Sequence, residues 1–210
     1  DVSTGEFFTA QGDEAHIDKI LQNFNPSEIL VQKQNRTKFA DIFGSLYHTF
    51  YLEDWVFQSE FATESLLKHF KVKSLKGFAI DDLEEGIIAS GAILFYLSET
   101  QHKDLLHISH IQRIIEEDYV WMDRFTIRNL ELYYSTAPNA VTLLDIIDKT
   151  VSPMGGRLLK RWLSLPLTNI EAIQQRQAIV KFFIENEAVF EKFVFQIKQI
   201  ADLERLIGKV

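Results

Sequence analysis

Ser152-Pro-Met-Gly-Gly-Arg-Leu-Leu-Lys-Arg-Trp-Leu-Ser164 is the stretch on which the reading of this chain turns. Pro153 suits the first turn of a helix, where its missing N–H is not needed. Gly155 and Gly156, having no side chain, let that turn approach another backbone closely. Leu158, Leu159, Trp162 and Leu163 then fall together and face inward, while Arg157, Lys160 and Arg161 share the opposite face at i, i+3 and i+4. A basic trio of this kind can hold phosphates, bind carboxylates of a neighbouring domain, or remain a solvated face. All three readings stand at this point.

Working outward, the chain from Asp123 to its end reads as nearly all helix. Downstream, Thr168 and Glu171 form a Thr-x-x-Glu capping box just after Pro166, which predicts a helix through Ile170, Ile173, Ile179, Val180 and Phe183. Val189, Phe193, Ile197, Ile200, Leu203 and Ile207 then recur at steps of three or four over about 19 residues, or roughly 28 Å of helix. Such a stripe needs a partner, part of which is the preceding helix in an antiparallel hairpin. Upstream, Arg128, Asn129 and Glu131 flank Leu130 and Leu132 on a helix, where an Arg128–Glu131 pair at i,i+3 contributes only about 0.2–0.5 kcal/mol. Asp202, Glu204 and Arg205 allow the same bland reading as a polar helix face.

The first half alternates strands and helices. Residues 2–10 read as a strand. Ile17, Ile20, Leu21 and Phe24 give Asp13–Phe24 a helical period that Asn25-Pro26-Ser27 stops. Glu28–Gln32 is a short apolar run, a buried strand. Trp55, Phe57, Phe61 and Leu66 or Leu67 carry a helix over residues 53–70, and Gly77–Ile80 is a brief break. Asp81, three residues before Glu84, caps a helix that runs through Ile87, Ile88, Leu94, Phe95 and Leu97 towards Gln101. Gly91, with Ala89, Ser90 and Ala92, allows that helix to pack closely against a sheet. Tyr119–Met122 is strand-like. The alternation predicts an α/β layer with helices covering a mixed sheet, followed by an all-helical part, with the boundary near residue 108.

Composition narrows the function classes. The chain has 210 residues, 17 of them Phe, with four Pro and nine Gly, so a sizeable core and long helices are expected and bulk disorder is excluded. No run of 18 apolar residues spans a membrane. With no cysteine there is neither a disulfide framework nor a thiolate metal site, which suits a reducing cytoplasm. The net charge of −8 sits wholly in residues 1–108, where nine Lys and Arg face 17 Asp and Glu; residues 109–210 hold 13 of each. An acidic module is poorly suited to gripping nucleic-acid phosphates and better suited to a basic protein surface.

The run at 152–164 resembles the core-domain signature of the MutS family of DNA mismatch-recognition ATPases. Three further stretches agree with it in order and spacing: Asp1-Val-Ser-Thr-Gly-Glu-Phe7, Arg128-Asn-Leu-Glu131 and Asp202-Leu-Glu-Arg-Leu-Ile-Gly-Lys209. The resemblance implies a ribonuclease-H-like connector, domain II, over residues 1–108, and the start of the helical core and lever, domain III, over residues 109–210. It implies that Arg128, Asn129, Glu131, Gly155, Gly156, Arg157, Lys160, Arg161, Trp162, Asp202, Glu204 and Arg205 serve inter-domain coupling. On this reading the chain is a non-catalytic middle piece that holds no cofactor. ATP and magnesium, mismatched duplex DNA and the homodimer belong to the full-length protein. MutL docks on the connector, the location is cytoplasmic, and the piece alone is a monomer.

Other chemistries fit the residues less well. A nuclease on a ribonuclease-H-like layer needs converging carboxylates, for which Asp1, Asp81, Asp82, Glu84 and Glu85 are the candidates; the last four are explained as a helix cap. His102, His107 and His110 match no common zinc spacing. There is no Gly-x-x-x-x-Gly-Lys-Ser/Thr phosphate loop, no Gly-x-Ser-x-Gly elbow and no nucleophile–base pair. Trp55, Trp121 and Trp162 read as core anchors. A MutS relative acting in recombination rather than repair remains an alternative.

Overall fold

A computed structural model describes residues 1–45, 47–101, 105–115, 118–133, 135, 137 and 140–207. His102 and the Gly208-Lys209 end of the last motif lie outside these. The contacts divide the chain into two units, Asp1–Leu21 with Asn25–Ile114, and Gln22–Phe24 with Ile115–Val210.

In the first unit the chain opens in a turn, not in the strand expected over residues 2–10. The Asp1 carbonyl accepts from the N–H groups of Thr4 (3.3 Å) and Gly5 (3.0 Å), and Gly5 takes a φ of +76°. Only Phe8–Thr9 (β1) stay extended. Helix α1 (Glu14–Phe24) starts at Asp13, whose carboxylate accepts from the His16 N–H at 2.8 Å, and ends at Asn25 in the left-handed region, the two boundaries its sequence predicts. β2 (Ile29–Gln32) and β3 (Thr49–Leu52) pair in parallel, Ile29 opposite Thr49 and Gln32 opposite Leu52. A parallel pair needs a crossover, here a 3-10 turn at Lys33–Asn35 and helix α2 (Arg36–Phe43). After a 3-10 turn at Asp54–Phe57 come α3 (Ser59–Phe70), α4 (Glu84–Gln101) and β4 (Gln112–Arg113), the last parallel to β1. Among the described residues the strands thus pair two by two.

The core of this unit lies between α3 and α4, where Ala62, Leu66, Ile87, Leu94 and Leu97 are buried with Leu75, Ile80 and Ile111. The small residues of α4 serve two neighbours rather than one sheet. Ser90, buried, sets its hydroxyl 3.2 Å from Thr9 Oγ1 on β1. Gly91 instead faces helix α3: a Cβ there would lie 2.5 Å from the Ala62 Cα. The first turn of α4 is capped by Gln11, whose Oε1 accepts from the N–H groups of Glu85 (3.0 Å) and Gly86 (3.4 Å), and not by Asp81. Neighbouring Asp82 is drawn away to Arg113 Nη1, at 2.7 and 2.8 Å. Trp55 is no core anchor: 46% exposed, it meets Phe61 and Phe95 edge-on at 5.1 Å over a small cluster with Leu52, Val56 and Ala92.

The second unit is built from six helices among the described residues. Helix α5 (Arg124–Asn129) begins at Asp123, which accepts from the Thr126 N–H at 2.7 Å. Helix α6 (Leu143–Ile147) opens with a reciprocal capping box between Thr142 and Asp145. Helix α7 (Pro153–Ser164) carries the signature run, with Ser152 Oγ accepting from the Gly155 N–H at 3.1 Å. The expected strand at Tyr119–Met122 is a single antiparallel bridge, Tyr119 to Leu167, flanked by Val120 N–H to Pro166 O (2.7 Å) and Thr168 N–H to Asp118 O (3.0 Å). Because Thr168 belongs to that bridge, helix α8 (Ile170–Glu185) is capped one residue later, by Asn169, which accepts from the Ala172 N–H at 2.9 Å.

The chain reverses at Asn186 into α9 (Glu187–Ile197), and Phe183 meets Phe190 and Phe193 at 5.7 and 5.3 Å. These rings are the hairpin partner that the apolar stripe required. The stripe itself is not one helix: α9 ends at Ile197 and α10 (Leu203–Ile207) starts afresh. Much of it stays open, with Phe193 at 51% and Ile207 at 62% exposure.

The Ala62–Gly91 contact leaves no room for a side chain. Gly91→Val is expected to destabilise the first unit by about 1–3 kcal/mol through overpacking, read as a lowered urea midpoint. An unchanged midpoint would show that the two helices do not touch there.

Candidate functional site

The signature helix owes its position to its basic residues more than to its apolar ones. Leu158 and Trp162 are 43% and 39% exposed, so the expected inward face is only partly inward. The glycines do not admit a second backbone. Cβ atoms at Gly155 and Gly156 would instead lie 3.1 Å from Ser152 Oγ and 3.3 Å from Thr150 Oγ1, so the small pair lets the Thr150 turn fold against the first turn of α7. That turn is held by Asp148, which accepts from the Thr150 N–H (3.0 Å) and hydroxyl (2.7 Å).

Arg157 is the centre of the site. Its Nη1 and Nη2 donate to the two oxygens of Asp202 at 2.9 and 2.7 Å, and its Nε donates to Glu204 Oε2 at 2.9 Å, an oxygen that Nη2 also reaches. The planar fork of arginine matches carboxylates two hydrogen bonds at a time, which a lysine cannot do. Side-chain exposures are 22% for Arg157 and 18% for Asp202, so the pair is largely withdrawn from water. Asp202 also caps α10, since its Oδ1 accepts from the Arg205 N–H at 3.3 Å, and its Oδ2 lies 3.8 Å from Arg205 Nε. The Arg157 fork, the Arg205 N–H and both positive charges favour the ionised carboxylate, which is held down at about 2 from an ordinary 3.8. The two carboxylates in turn push the guanidinium above its ordinary value.

Of the residues singled out in the sequence, then, Arg157, Asp202, Glu204 and Arg205 come together. The carboxylates that Arg157 binds belong to its own unit rather than to a neighbouring domain. Lys160 parts from Arg157: its ammonium sits 5.8 Å above the ring of Tyr133, whose hydroxyl lies 2.7 Å from Ser164 Oγ. Arg161 contributes its carbonyl to the end of the helix, accepting from the Leu165 N–H at 2.9 Å. Trp162 lies under Arg176, whose guanidinium carbon is 3.8 Å from the ring centre. Both border a groove of about 720 Å³ walled by Pro166, Leu167, Ile173, Val180 and Ile184. Tyr133 and Arg176 carried no sequence signal, since lone residues of these types are common on any helix.

Arg128, Asn129 and Glu131 form a different structure from the expected helix face. α5 ends at Asn129, and Glu131 takes a φ of +47°. The Leu132 N–H reaches Ile127 O (3.2 Å) and the Glu131 N–H reaches Arg128 O (3.1 Å), with Ile127 and Leu132 both buried. This is a Schellman closure with its hydrophobic contact. The Glu131 carboxylate accepts from Ser135 Oγ at 2.5 Å and not from Arg128, because the left-handed turn redirects it.

Two of the carboxylates considered for metal chemistry, Asp1 and Asp82, are used locally. Asp1 accepts from the Ser3 N–H (2.8 Å) and hydroxyl (2.7 Å), and Asp82 holds Arg113. His107 Nε2 lies 2.8 Å from the Val2 carbonyl, and the His110 ring meets the Phe78 ring at 5.3 Å, tilted by 53°. Among the described residues no three His, Asp or Glu side chains are placed to hold a metal ion, and no helix is long and apolar enough to cross a membrane.

Comparison with known proteins agrees with these two units. A model of MutS domain II matches residues 1–112 and a model of MutS domain III matches residues 125–210. The chain is similar along its whole length to proteins named DNA mismatch repair protein MutS, with 64% identity in Flavobacterium psychrophilum, 62% in Flavobacterium johnsoniae and 51% in Cytophaga hutchinsonii. It spans 24% of the length of each of these relatives. The chain belongs to the MutS family.

A carboxyl whose pKa is depressed on folding adds stability that is complete above its unfolded value and is lost as pH falls through its folded value. Asp202→Asn, which keeps a capping oxygen, is therefore expected to lower the urea midpoint at pH 7. The gap from the parent chain should narrow as pH falls from about 4 to about 2. A gap that stays constant over that range would mean that the Asp202 charge is not held by Arg157.

Proposed function

We propose that this chain is the connector, residues 1–108, and the first part of the helical core, residues 109–210, of a DNA mismatch-recognition protein, and that its work is mechanical. The whole protein grips mismatched duplex DNA as a homodimer and turns over ATP with magnesium elsewhere. The present residues carry the displacement between those activities as packed elements that move together. The single observation that carries this reading is the Arg157 fork. It ties the signature helix α7 to the start of α10 across 45 and 47 residues of chain, and so turns two separate motifs into one joint.

The other coupling residues take supporting roles. Gly155 and Gly156 let the Thr150 turn press on α7. Lys160, Arg161 and Trp162 fix its far end. Arg128, Asn129 and Glu131 set the angle at which the chain leaves α5, and Arg205 completes the joint at Asp202. No run here can cradle a nucleotide phosphate, so no step of nucleotide chemistry falls to these residues, and the chain is read as non-catalytic. A relative at 64% identity named as a mismatch repair protein favours the repair reading over recombination.

The first unit is read as a ribonuclease-H-like layer that docks MutL in the cytoplasm. Its parallel β2-α2-β3 crossover and flanking helices support the fold. Its excess of acidic residues supports a basic partner surface. The chain on its own is read as a monomer, because the surfaces expected to hold most of the family's dimer lie in its ATPase domain.

Arg157→Gln in the full-length protein tests the mechanical reading. Mismatch binding and nucleotide binding are each expected to persist, while the effect of nucleotide on DNA affinity shrinks, and by reciprocity so does the effect of DNA on nucleotide affinity. Coupling that stays intact would overturn it. Calorimetric titration of MutL into the 210-residue chain tests the docking reading. Saturable heat that weakens with added salt is expected, and absence of heat from folded protein at low salt would contradict it.

A further inference from the structure

Residues 187–207 carry one uninterrupted helical pattern and yet fold as two helices. The apolar positions Val189, Phe193, Ile197, Ile200, Leu203 and Ile207 keep helical spacing straight across the gap. The gap itself, Lys198-Gln-Ile-Ala-Asp202, contains neither proline nor glycine, and Lys, Gln and Ala are strong helix formers. The break is nevertheless made, by a tightened turn in which the Gln199 N–H reaches Gln196 O at 3.1 Å and the Ile200 N–H reaches Ile197 O at 3.0 Å.

Local preference does not explain the break, but Asp202 does. As the cap of α10 it must leave helical geometry, and it is held in that place by two hydrogen bonds from Arg157. Burial does not hold α10 there, since none of Leu203–Ile207 is buried. Two opposed quantities therefore set the state of this segment. On one side stand the charge-assisted bonds of Arg157 to Asp202 and Glu204, and on the other the helical hydrogen bonds that five wound residues would gain.

We propose that the Arg157 fork is a conformational latch. Closed, it keeps residues 198–202 unwound and α10 beside α7. Opened, it lets those residues wind, so that α9 and α10 merge into one helix over residues 187–207, about 31 Å long. The latch rests on the geometry of this unit alone and would stand whatever the role of the whole protein.

The Cα chemical shifts of the 210-residue chain read the two states directly. In the parent chain, Ala201 and Asp202 are expected near random-coil values between two helical stretches. In Arg157→Gln these positions should move into the helical range, giving one continuous helical stretch from Glu187 to Ile207. Asp202→Ala, which removes the cap and the acceptor together while leaving Arg157 in place, should produce the same change and serves if the first variant fails to fold. Two results would overturn the latch. One is an unchanged break in the folded variants. The other is loss of helical shifts at Leu203–Ile207 with 201–202 still unwound, which would mean that α10 merely frays.

Discussion

A guanidinium that reaches two carboxylates across more than forty residues is the constraint on which the second unit depends. Without the Arg157 fork, this charged tie between α7 and α10 would be lost, and Asp202 would be left largely withdrawn from water with its charge facing only Arg205, at 3.8 Å, among the described residues. Removing one member of a desolvated pair costs more than the pair contributes, because the remaining charge has lost its solvation as well as its partner. The same contact decides where α9 stops and where α10 starts. One interaction thus sets packing and helix boundaries, and it is the contact on which the proposed coupling role rests.

The first unit is held differently. Its centre is the close approach of α3 and α4 at Ala62 and Gly91, with buried aliphatic residues on either side. Shape is what matters there, and the ordered polar contacts, Ser90 with Thr9 and Gln11 with the first turn of α4, position a sheet edge against a helix. The second unit buries few apolar side chains among the described residues and leaves the α8–α9 hairpin and the Trp162 groove open. A unit of that kind relies on specific polar joints, which can be remade at lower cost than a packed core.

What the sequence made legible was local. The start of α1 near Asp13, the helical first turn at Pro153, the stop at Asn25 and the apolar run at β2 follow from chemistry within a few residues, and all were readable. Helix α2 and strand β3 were not, because residues 33–52 mix polar and apolar types without a clear period. The strand at residues 2–10 failed because Gly5 bends the chain, and the cap of α8 slipped by one because a tertiary bridge claims Thr168. The long helix over residues 189–207 failed for the most instructive reason: its periodicity is genuine, but Arg157 overrides it from 45 residues away. The site shows the same divide. The charge of the 152–164 run was plain, whereas the identity of its partner was a tertiary fact, and the stacking of Arg176 on Trp162 left no trace in the pattern.

The central claim is that Arg157 and Asp202 act as one unit. A double-mutant cycle by urea unfolding at pH 7, with Arg157→Gln, Asp202→Asn and the two combined, measures this most directly. If the account holds, the double variant is hardly less stable than either single variant, because each alone already breaks the joint. Losses that simply add would mean that the two residues contribute separately, and the joint would not be the constraint that organises this unit.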